Sequence, residues 1–248
     1  MKERLNSFRV ILLIFIFLSS LSNIIFLFNN VVDNKKNKML KSTYKVETIK
    51  NKDKIENVVD VTRFQNAVDK LRSEFNNMDI YGTLKINGTT IDTVLVQGDD
   101  NDFYLNHSIN KEQNKVGSVF MDYRNNKNDK IKLFYGHNSR SLNPDFHELE
   151  KFLNEDFAKE HVYAQLMDDS GLYNYKIFSV MVIPNSTNRH MQIHFDDNNS
   201  YQTHLDWLKG NSKFVLDENV NYNDDIILLQ TCYYYPDNSF IVIAAKRI

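Results

Sequence analysis

The sequence has 248 residues with a formal net charge of −2 at pH 7, and 42% of its residues are hydrophobic. This length suffices for one folded domain with additional segments, and the hydrophobic content is typical of a globular protein. The slightly acidic charge disfavours a nucleic-acid binder, which would show a clear basic excess.

Residues 10–28 form an apolar run of 19 residues without a charge. This is about the length that crosses a ~30 Å hydrocarbon core. The basic residues Lys2, Arg4 and Arg9 precede the run, and positive flanks stay in the cytoplasm. A cleaved signal peptide is the alternative, but no small-x-small cleavage site follows. We therefore predict that residues 1–30 form a cytoplasmic tip and a transmembrane anchor, which places the protein in the cell membrane with its remainder outside the cell.

Residues 31–60 are rich in Lys and Asn and are predicted to form a solvated extracellular stalk. A helix is predicted at the start of the domain formed by residues 61–248, because apolar residues from Phe64 to Phe75 recur on one helical face. We expect this helix to pack on the rest of the domain and to carry no chemistry.

From residue 79 onward the pattern changes to short strands. Asn87-Gly88 lies between two strand-like runs, 80–86 and 89–96, which is a strong signal for a β-hairpin. Six further strands are predicted at 117–123, 130–135, 162–167, 173–183, 225–231 and 240–245. Many short strands in one domain indicate a barrel or a sandwich.

Two short helices are predicted between these strands. Asn143-Pro144-Asp145 is a helix start signal, with Asn as the cap and Pro at the first helical position. A second helix is expected from about Ser200 to Gly210, where glycine is a typical stop. The predicted architecture is mainly β with peripheral helices.

Cys232 is the only cysteine in the sequence, and it directly follows an apolar strand. A single cysteine in an exported domain has no internal disulfide partner, so it is either incidental or a reactive thiol. A reactive cysteine needs a neighbouring base because the free thiol has a pKa near ~8.5. His137 is the best candidate for that base, since it follows a buried strand through Gly136 and a strand end is a rigid support.

The remaining histidines are not predicted to be catalytic. His190 and His194 are four residues apart, but no accompanying Glu or Cys ligand supports a metal site. No glycine-rich phosphate loop and no G-x-S-x-G elbow occurs. We therefore predict no metal and no other cofactor. Four histidines are expected to lie at the surface: His107, His147, His161 and His204.

The segments around Cys232 and His137 resemble those of the sortases, the cysteine transpeptidases of Gram-positive surfaces, and class B in particular. Leu229-Gln230-Thr231-Cys232 matches the last four positions of the T-L-x-T-C signature of that family. Gly136-His137-Asn138 matches the Gly-His-Asn context of the family histidine. Three further stretches look like class B: 81–89, 97–107 and 117–125. The similarity covers roughly residues 60–248.

The resemblance implies an eight-stranded β-barrel with an N-terminal helical extension and a helix between strands six and seven. It also implies a reaction in which the thiol of Cys232 attacks the threonine carbonyl of a C-terminal sorting signal, of NPxT or PPxT type, in an exported protein. A thioacyl-enzyme forms, and an amine from a peptidoglycan precursor or crossbridge resolves it. His137 would protonate the leaving amine and later accept the proton of the incoming amine.

One position departs from the family pattern. Sortases carry an arginine directly before the apolar run of the last strand, and an ungapped match places Ser239 there. We expect Ser239 to donate a neutral hydrogen bond, with charge supplied by a loop arginine, Arg140 or Arg189, or not at all. Arg247 lies eight residues from Ser239, about 26 Å along an extended strand, and is expected to be out of reach.

Six residues are candidates for substrate binding by this resemblance, each with a purely structural role as an equal alternative: Asn101, Leu105, Tyr201, Gln230, Thr231 and Tyr233. Two other functions stay open. One alternative is a degenerate sortase that binds sorting signals with little turnover. The other is an anchored cell-wall binding module with a structural cysteine.

Overall fold

The computed structural model describes residues 61–248 except positions 140, 215, 218 and 237. The predicted anchor (1–30), the predicted stalk (31–60) and Arg140 lie outside the described residues. Within the part of the chain that is described, no helix has both the length and the apolar character needed to span a bilayer.

The described residues form three α-helices and eight β-strands. The helices are α1 (Val61–Phe75), α2 (Glu155–Glu160) and α3 (Asn198–Gly210). The strands are β1 (Ile80–Ile86), β2 (Asp92–Val96), β3 (Val119–Met121), β4 (Ile131–Tyr135), β5 (Tyr163–Asp168), β6 (Gly171–Pro184), β7 (Ile226–Tyr233) and β8 (Ser239–Arg247). Short 3-10 segments span Phe103–Leu105, Asp145–Leu153 and Arg189–Met191.

The eight strands close into a barrel in the order β1-β2-β3-β4-β7-β8-β6-β5. Closure pairs every strand on both sides and leaves no open edge for association with another chain. Helix α3 connects β6 to β7, and α1 precedes the barrel. The predicted fold class, an eight-stranded mainly-β barrel with an N-terminal helix and short peripheral helices, is confirmed.

Alternation of side chains along the strands fills the barrel interior. Leu84 and Ile86 on β1, Leu229 on β7 and Ile241 and Ile243 on β8 belong to one core cluster, and each is at most 1% exposed. Burial of one such aliphatic side chain contributes about 1.5–3 kcal/mol. Because side chains alternate with a period of two, the residues between these positions face the outside of the barrel.

The predicted helices form at the predicted places with different details. Pro144 precedes the segment Asp145–Leu153, which is a 3-10 helix rather than an α-helix. Helix α3 begins two residues earlier than expected, since Asp197 caps it by accepting from the Ser200 backbone N–H. Helix α2, which the sequence analysis does not predict, begins after Asn154, whose side chain accepts from the backbone N–H of Phe157.

Strands β4 and β7 position the chemistry because they run parallel and side by side. Their register pairs Ile131 with Ile226 and continues to Tyr135 with Gln230. The carboxyl ends of neighbouring parallel strands meet at the same edge of a sheet. The residues that follow these two strands therefore emerge together at one end of the barrel.

Candidate active site

His137 and Cys232 are neighbours on this shared edge. Tyr135 pairs with Gln230, and the backbone N–H of Gly136 donates to the carbonyl of Gln230 at 3.1 Å, so the two chains stay side by side beyond β4. Beyond that pair, Asn138 Nδ2 donates to the Cys232 carbonyl at 2.8 Å, so the chain segments that carry His137 and Cys232 stay next to each other. Adjacent strands are ~4.8 Å apart, which brings an imidazole and a thiol within reach of each other.

The backbone of Leu105 orients the His137 ring. The Nε2 atom of His137 lies 2.6 Å from the carbonyl oxygen of Leu105. A carbonyl only accepts, so Nε2 carries the proton, and in a neutral ring Nδ1 is then the basic nitrogen. Leu105, predicted as a substrate-binding residue, therefore contacts His137 through its main-chain carbonyl.

The thiol of Cys232 is accessible but partly desolvated. The residue is exposed to solvent, yet burial by the surrounding groups raises the pKa of the thiol above its ordinary value. The resting site accordingly holds a neutral thiol at neutral pH. An adjacent base is needed to produce the nucleophilic thiolate, and this is the role that His137 can fill.

Asn138 holds the backbone of the cysteine, and the sequence analysis gives it no role of its own. Its side chain is buried, and its Nδ2 donates to the carbonyl oxygen of Cys232 at 2.8 Å and to Glu150 Oε1 at 2.7 Å. Its Oδ1 accepts from Nδ1 of His147 at 2.6 Å. The only signal in the sequence is its position directly after His137 in the Gly-His-Asn run.

The three candidates that flank Cys232 have different environments. Gln230 lies on the same face as the thiol, and its Oε1 accepts from Nε2 of His190 at 2.7 Å. The hydroxyl of Thr231 is buried and donates to the carbonyl of Gly136 at 2.7 Å, which ties β7 to the histidine segment. Tyr233 is half-buried, with its ring edge-on to that of Tyr235. Thr231 thus ties β7 to the segment after β4, and Gln230 is buried and bonded to His190.

The β7–β8 register changes the expectation for Ser239. Ser239 pairs with Tyr233, whereas Phe240 pairs with Cys232. Directly opposed residues of antiparallel strands share a face, and successive residues alternate. Phe240, rather than Ser239, is therefore the β8 residue beside the thiol, and Ser239 is buried on the opposite face. In this register Ser239, which matches the family arginine position in sequence, does not face the thiol.

Arg140 lies outside the described residues, and the two other arginines considered as substitutes, Arg189 and Arg247, have partners elsewhere in the protein. Arg247 lies over the ring of Tyr173 at 4.0 Å and pairs with Asp225 at 3.4 Å, at the far end of β8. The guanidinium of Arg189 lies 5.3 Å from the centre of the Trp207 ring. No cation among the described residues takes the place on β8 that faces Cys232.

Two residues that were predicted to contact the substrate form hydrogen bonds within the protein instead. Asn101 donates to Asp122 Oδ2 at 3.2 Å and accepts from the backbone N–H of Tyr123 at 3.0 Å. Tyr201 is buried, and its hydroxyl donates to the carbonyl of Asp224 at 2.8 Å. Asp224 precedes β7 and Cys232 lies at the other end of that strand, about 26 Å away. Tyr201 therefore does not face the site, contrary to prediction.

The prediction for one histidine is also wrong. His204 was expected at the surface, but it is only 2% exposed. It lies on α3 between the rings of Phe195 and Trp207, at centroid distances of 5.0 and 6.0 Å. Within the described ranges, no group of three or more His, Cys, Asp or Glu residues could hold a metal ion.

Comparison with known proteins decides the family. No protein-family model matches the chain. A sortase B of Staphylococcus aureus (strain NCTC 8325 / PS 47) is 33% identical over 177 residues, which are 69% of this chain and 71% of that relative. The chain belongs to the class B sortases. The predicted enzyme class, a sortase-type cysteine transpeptidase, is confirmed by this membership.

Two further similarities support the assignment. A sortase B of Listeria monocytogenes serovar 1/2a (strain ATCC BAA-679 / EGD-e) is 34% identical to this sortase over 159 residues, and the chain spans 63% of the length of that relative. The X-ray structure of Clostridium perfringens sortase B superposes with a TM-score of 0.69 at 35% identity. That superposition covers 73% of this chain and 99% of the other.

Proposed function

We propose that this sortase is a membrane-anchored transpeptidase that cleaves an NPxT- or PPxT-type sorting signal of exported proteins and joins the threonine to a cell-wall amine. The observation that supports the proposal is the parallel pairing of β4 and β7, because the segments with His137 and Cys232 then emerge at one edge of the barrel. Two side chains that are 95 residues apart in sequence thereby form a nucleophile and its base.

The proposed reaction has two acyl-transfer steps. His137 takes the proton of the Cys232 thiol, and the sulfur attacks the threonine carbonyl. The amide C–N bond breaks, the imidazolium of His137 protonates the leaving amine, and a thioester remains. The incoming amine then attacks the thioester, the C–S bond breaks, and the proton of the new amide nitrogen passes through His137 back to the thiolate.

Solved relatives support both substrates in this scheme. One is a Staphylococcus aureus sortase B–substrate complex, with a TM-score of 0.65 at 30% identity. Another is a sortase B complexed with triglycine, also with a TM-score of 0.65 at 30% identity. The triglycine complex supports an amine as the second substrate, and we propose a peptidoglycan precursor or crossbridge as its source in this protein.

A peptide-library cleavage assay with varied acceptor amines tests the proposal. We expect cleavage after the threonine of an NPxT- or PPxT-type peptide and an amide product with the preferred amine. Cys232→Ala is expected to abolish cleavage, and His137→Ala to lower the rate about 10²–10⁴-fold, the usual contribution of acid–base catalysis. His194→Ala removes an exposed histidine and serves as the matched control. Full activity of Cys232→Ala would refute the nucleophile.

A sortase that binds signals with little turnover is the second candidate. Phe240 occupies the face beside Cys232 where a cation would stabilise the developing oxyanion. Loss of one such donor lowers rates about 10²–10³-fold in other enzymes. Saturable binding of sorting peptides without a thioacyl-enzyme, detected by mass spectrometry, would favour this function over transpeptidation.

The membrane anchor is proposed from residues 10–28, whose apolar length matches a bilayer. Fractionation of cells that express the full chain or a variant without residues 1–30 tests it. We expect the full chain in the membrane fraction with its domain accessible to external protease. Recovery of the full chain in a soluble fraction would contradict the anchor.

A further inference from the structure

An open cleft of about 730 Å³ lies between helix α3 and the segment Arg189–Met191. Its lining, among the described residues, holds polar donors and no Asp or Glu. We call it the arginine cleft and define it by five of its lining residues: Arg124, Asn188, Arg189, Gln192 and His204. Neither Cys232 nor His137 lines it, so it is distinct from the catalytic pair.

The arginine cleft carries about one uncompensated positive charge. Arg124 forms a bidentate salt bridge with Asp122, with Nε 2.8 Å from Oδ1 and an Nη atom 2.7 Å from Oδ2. Asp122 is fully buried and cancels that charge. The exposed guanidinium of Arg189 lies over Trp207, and no carboxylate in the described part of the chain pairs with it.

His204 supplies an independent indication of a ligand. It lines the cleft and is 2% exposed, yet neither ring nitrogen has a hydrogen-bond partner among the described residues. Buried polar groups in folded proteins are normally hydrogen-bonded. Burial, followed by the charges of Arg189 and His190, lowers the pKa of His204 to about 4. The imidazole is therefore neutral at pH 7 and presents one N–H donor.

The segment that lines the arginine cleft is hydrogen-bonded to the strand that carries Cys232. His190, next in sequence to Arg189, donates from Nε2 to Gln230, which is two residues from Cys232 on the same face of β7. Two residues of strand span about 7 Å. A peptide whose reacting carbonyl is at the thiol therefore passes close to the segment that carries Arg189.

We propose that the arginine cleft binds a carboxylate side chain of the peptide substrate, close to the sorting motif. One net positive charge suits a monoanion better than a phosphate group, which carries about −1.5 to −2 at pH 7. Arg189 supplies the charge-assisted hydrogen bond, and the His204 ring, whose nitrogens have no partner among the described residues, lies in the wall of the cleft. The peptide as the source of the carboxylate rests on the proposed function, whereas binding of the anion does not.

Histidine NMR on the full-length Cys232→Ala protein in neutral detergent tests the anion site without turnover. The probes are acetate and inorganic phosphate, and a His204→Gln spectrum assigns the His204 signals. We expect acetate to shift these signals saturably and to raise the pKa of His204, because the anion offsets the repulsion from Arg189. Arg189→Gln is expected to weaken acetate binding about tenfold. Arg63→Gln removes an exposed arginine of α1 and is expected to change nothing.

Paired peptides that carry the sorting motif with Asp or Asn at each flanking position then test the source. We expect the Asp peptide to bind about tenfold more tightly at one position, with that preference lost in Arg189→Gln and kept in Arg63→Gln. Unshifted His204 signals, tighter binding of phosphate than acetate, or an Asp preference that survives Arg189→Gln would each overturn the proposal. Absence of cleavage by the wild-type chain, with these binding results intact, would refute only the proposed function.

Discussion

The side-chain amide of Asn138 donates to the carbonyl oxygen of Cys232 at 2.8 Å. Asn138 directly follows His137, so the short segment after β4 carries His137 and also holds the backbone of Cys232. Glu150 and His147, from the 3-10 helix that packs beside it, complete its hydrogen bonds. One buried asparagine thus ties the segment that carries His137 to the backbone of Cys232.

Asn138→Ala is expected to lower the free energy of unfolding by about 1–3 kcal/mol, because three partly buried hydrogen bonds of this buried side chain are lost. We expect kcat for peptide cleavage to fall while KM changes little, since Asn138 holds the nucleophile and not the substrate. Chemical denaturation and steady-state kinetics measure the two effects. Asn128→Ala, at an exposed position, is the control, and a loss confined to KM would contradict the positioning role.

Phe240→Arg is expected to raise kcat, by up to about 10²-fold, because it places a cation on the face of Cys232 where an oxyanion forms. Phe240→Leu controls for the loss of the aromatic ring. Ser239→Arg should instead destabilise the protein without raising kcat, since position 239 is buried on the opposite face. A rate increase in Ser239→Arg alone would show that the register argument is incorrect.

The raised pKa of the Cys232 thiol predicts the pH dependence of its alkylation. An acid with a raised pKa is more protonated at neutral pH, so less thiolate is present. The rate of reaction with iodoacetamide should therefore increase as pH rises, with a midpoint above the free-thiol value of ~8.5. A plateau reached at or below neutral pH would indicate a resting thiolate–imidazolium pair. If such a pair exists, His137→Ala would shift the plateau to higher pH. We expect instead that the midpoint is alkaline in the wild type and stays alkaline in His137→Ala.

Tyr201→Phe is expected to lower the free energy of unfolding by about 1 kcal/mol, the contribution of one hydrogen bond, here to the Asp224 carbonyl. Cleavage kinetics should stay unchanged because the hydroxyl lies far from Cys232. Tyr222→Phe, at an exposed tyrosine, controls for the substitution. A raised KM in Tyr201→Phe would support the prediction that Tyr201 contacts the substrate.

Local patterns predicted most of the elements. The Asn87-Gly88 pair forms the β1–β2 turn, with Gly88 at φ +76°, and β4 and β7 lie close to their predicted bounds. These patterns depend on nearby residues only. Helix α2 was not predicted because it has six residues, too few to show an apolar periodicity.

The surroundings of the thiol depended on contacts between distant segments. Ser239 and Phe240 differ by one position, and only the pairing of β7 with β8 decides which of them faces Cys232. A shift of one residue moves every side chain to the other face. The burial of His204 was not predicted for a related reason, since it results from the packing of Phe195 and Trp207 around the ring.

The sequence by itself predicted which residues react, because a lone cysteine and a histidine each lie at the end of an apolar strand within matching family motifs. Only the tertiary structure decided what surrounds them: Phe240 beside the thiol, Asn138 on its backbone and the arginine cleft nearby. The physical reason is the range of the interactions. Strand identity follows from local alternation, whereas facing and burial follow from long-range hydrogen-bond register and from the packing of segments far apart in the chain.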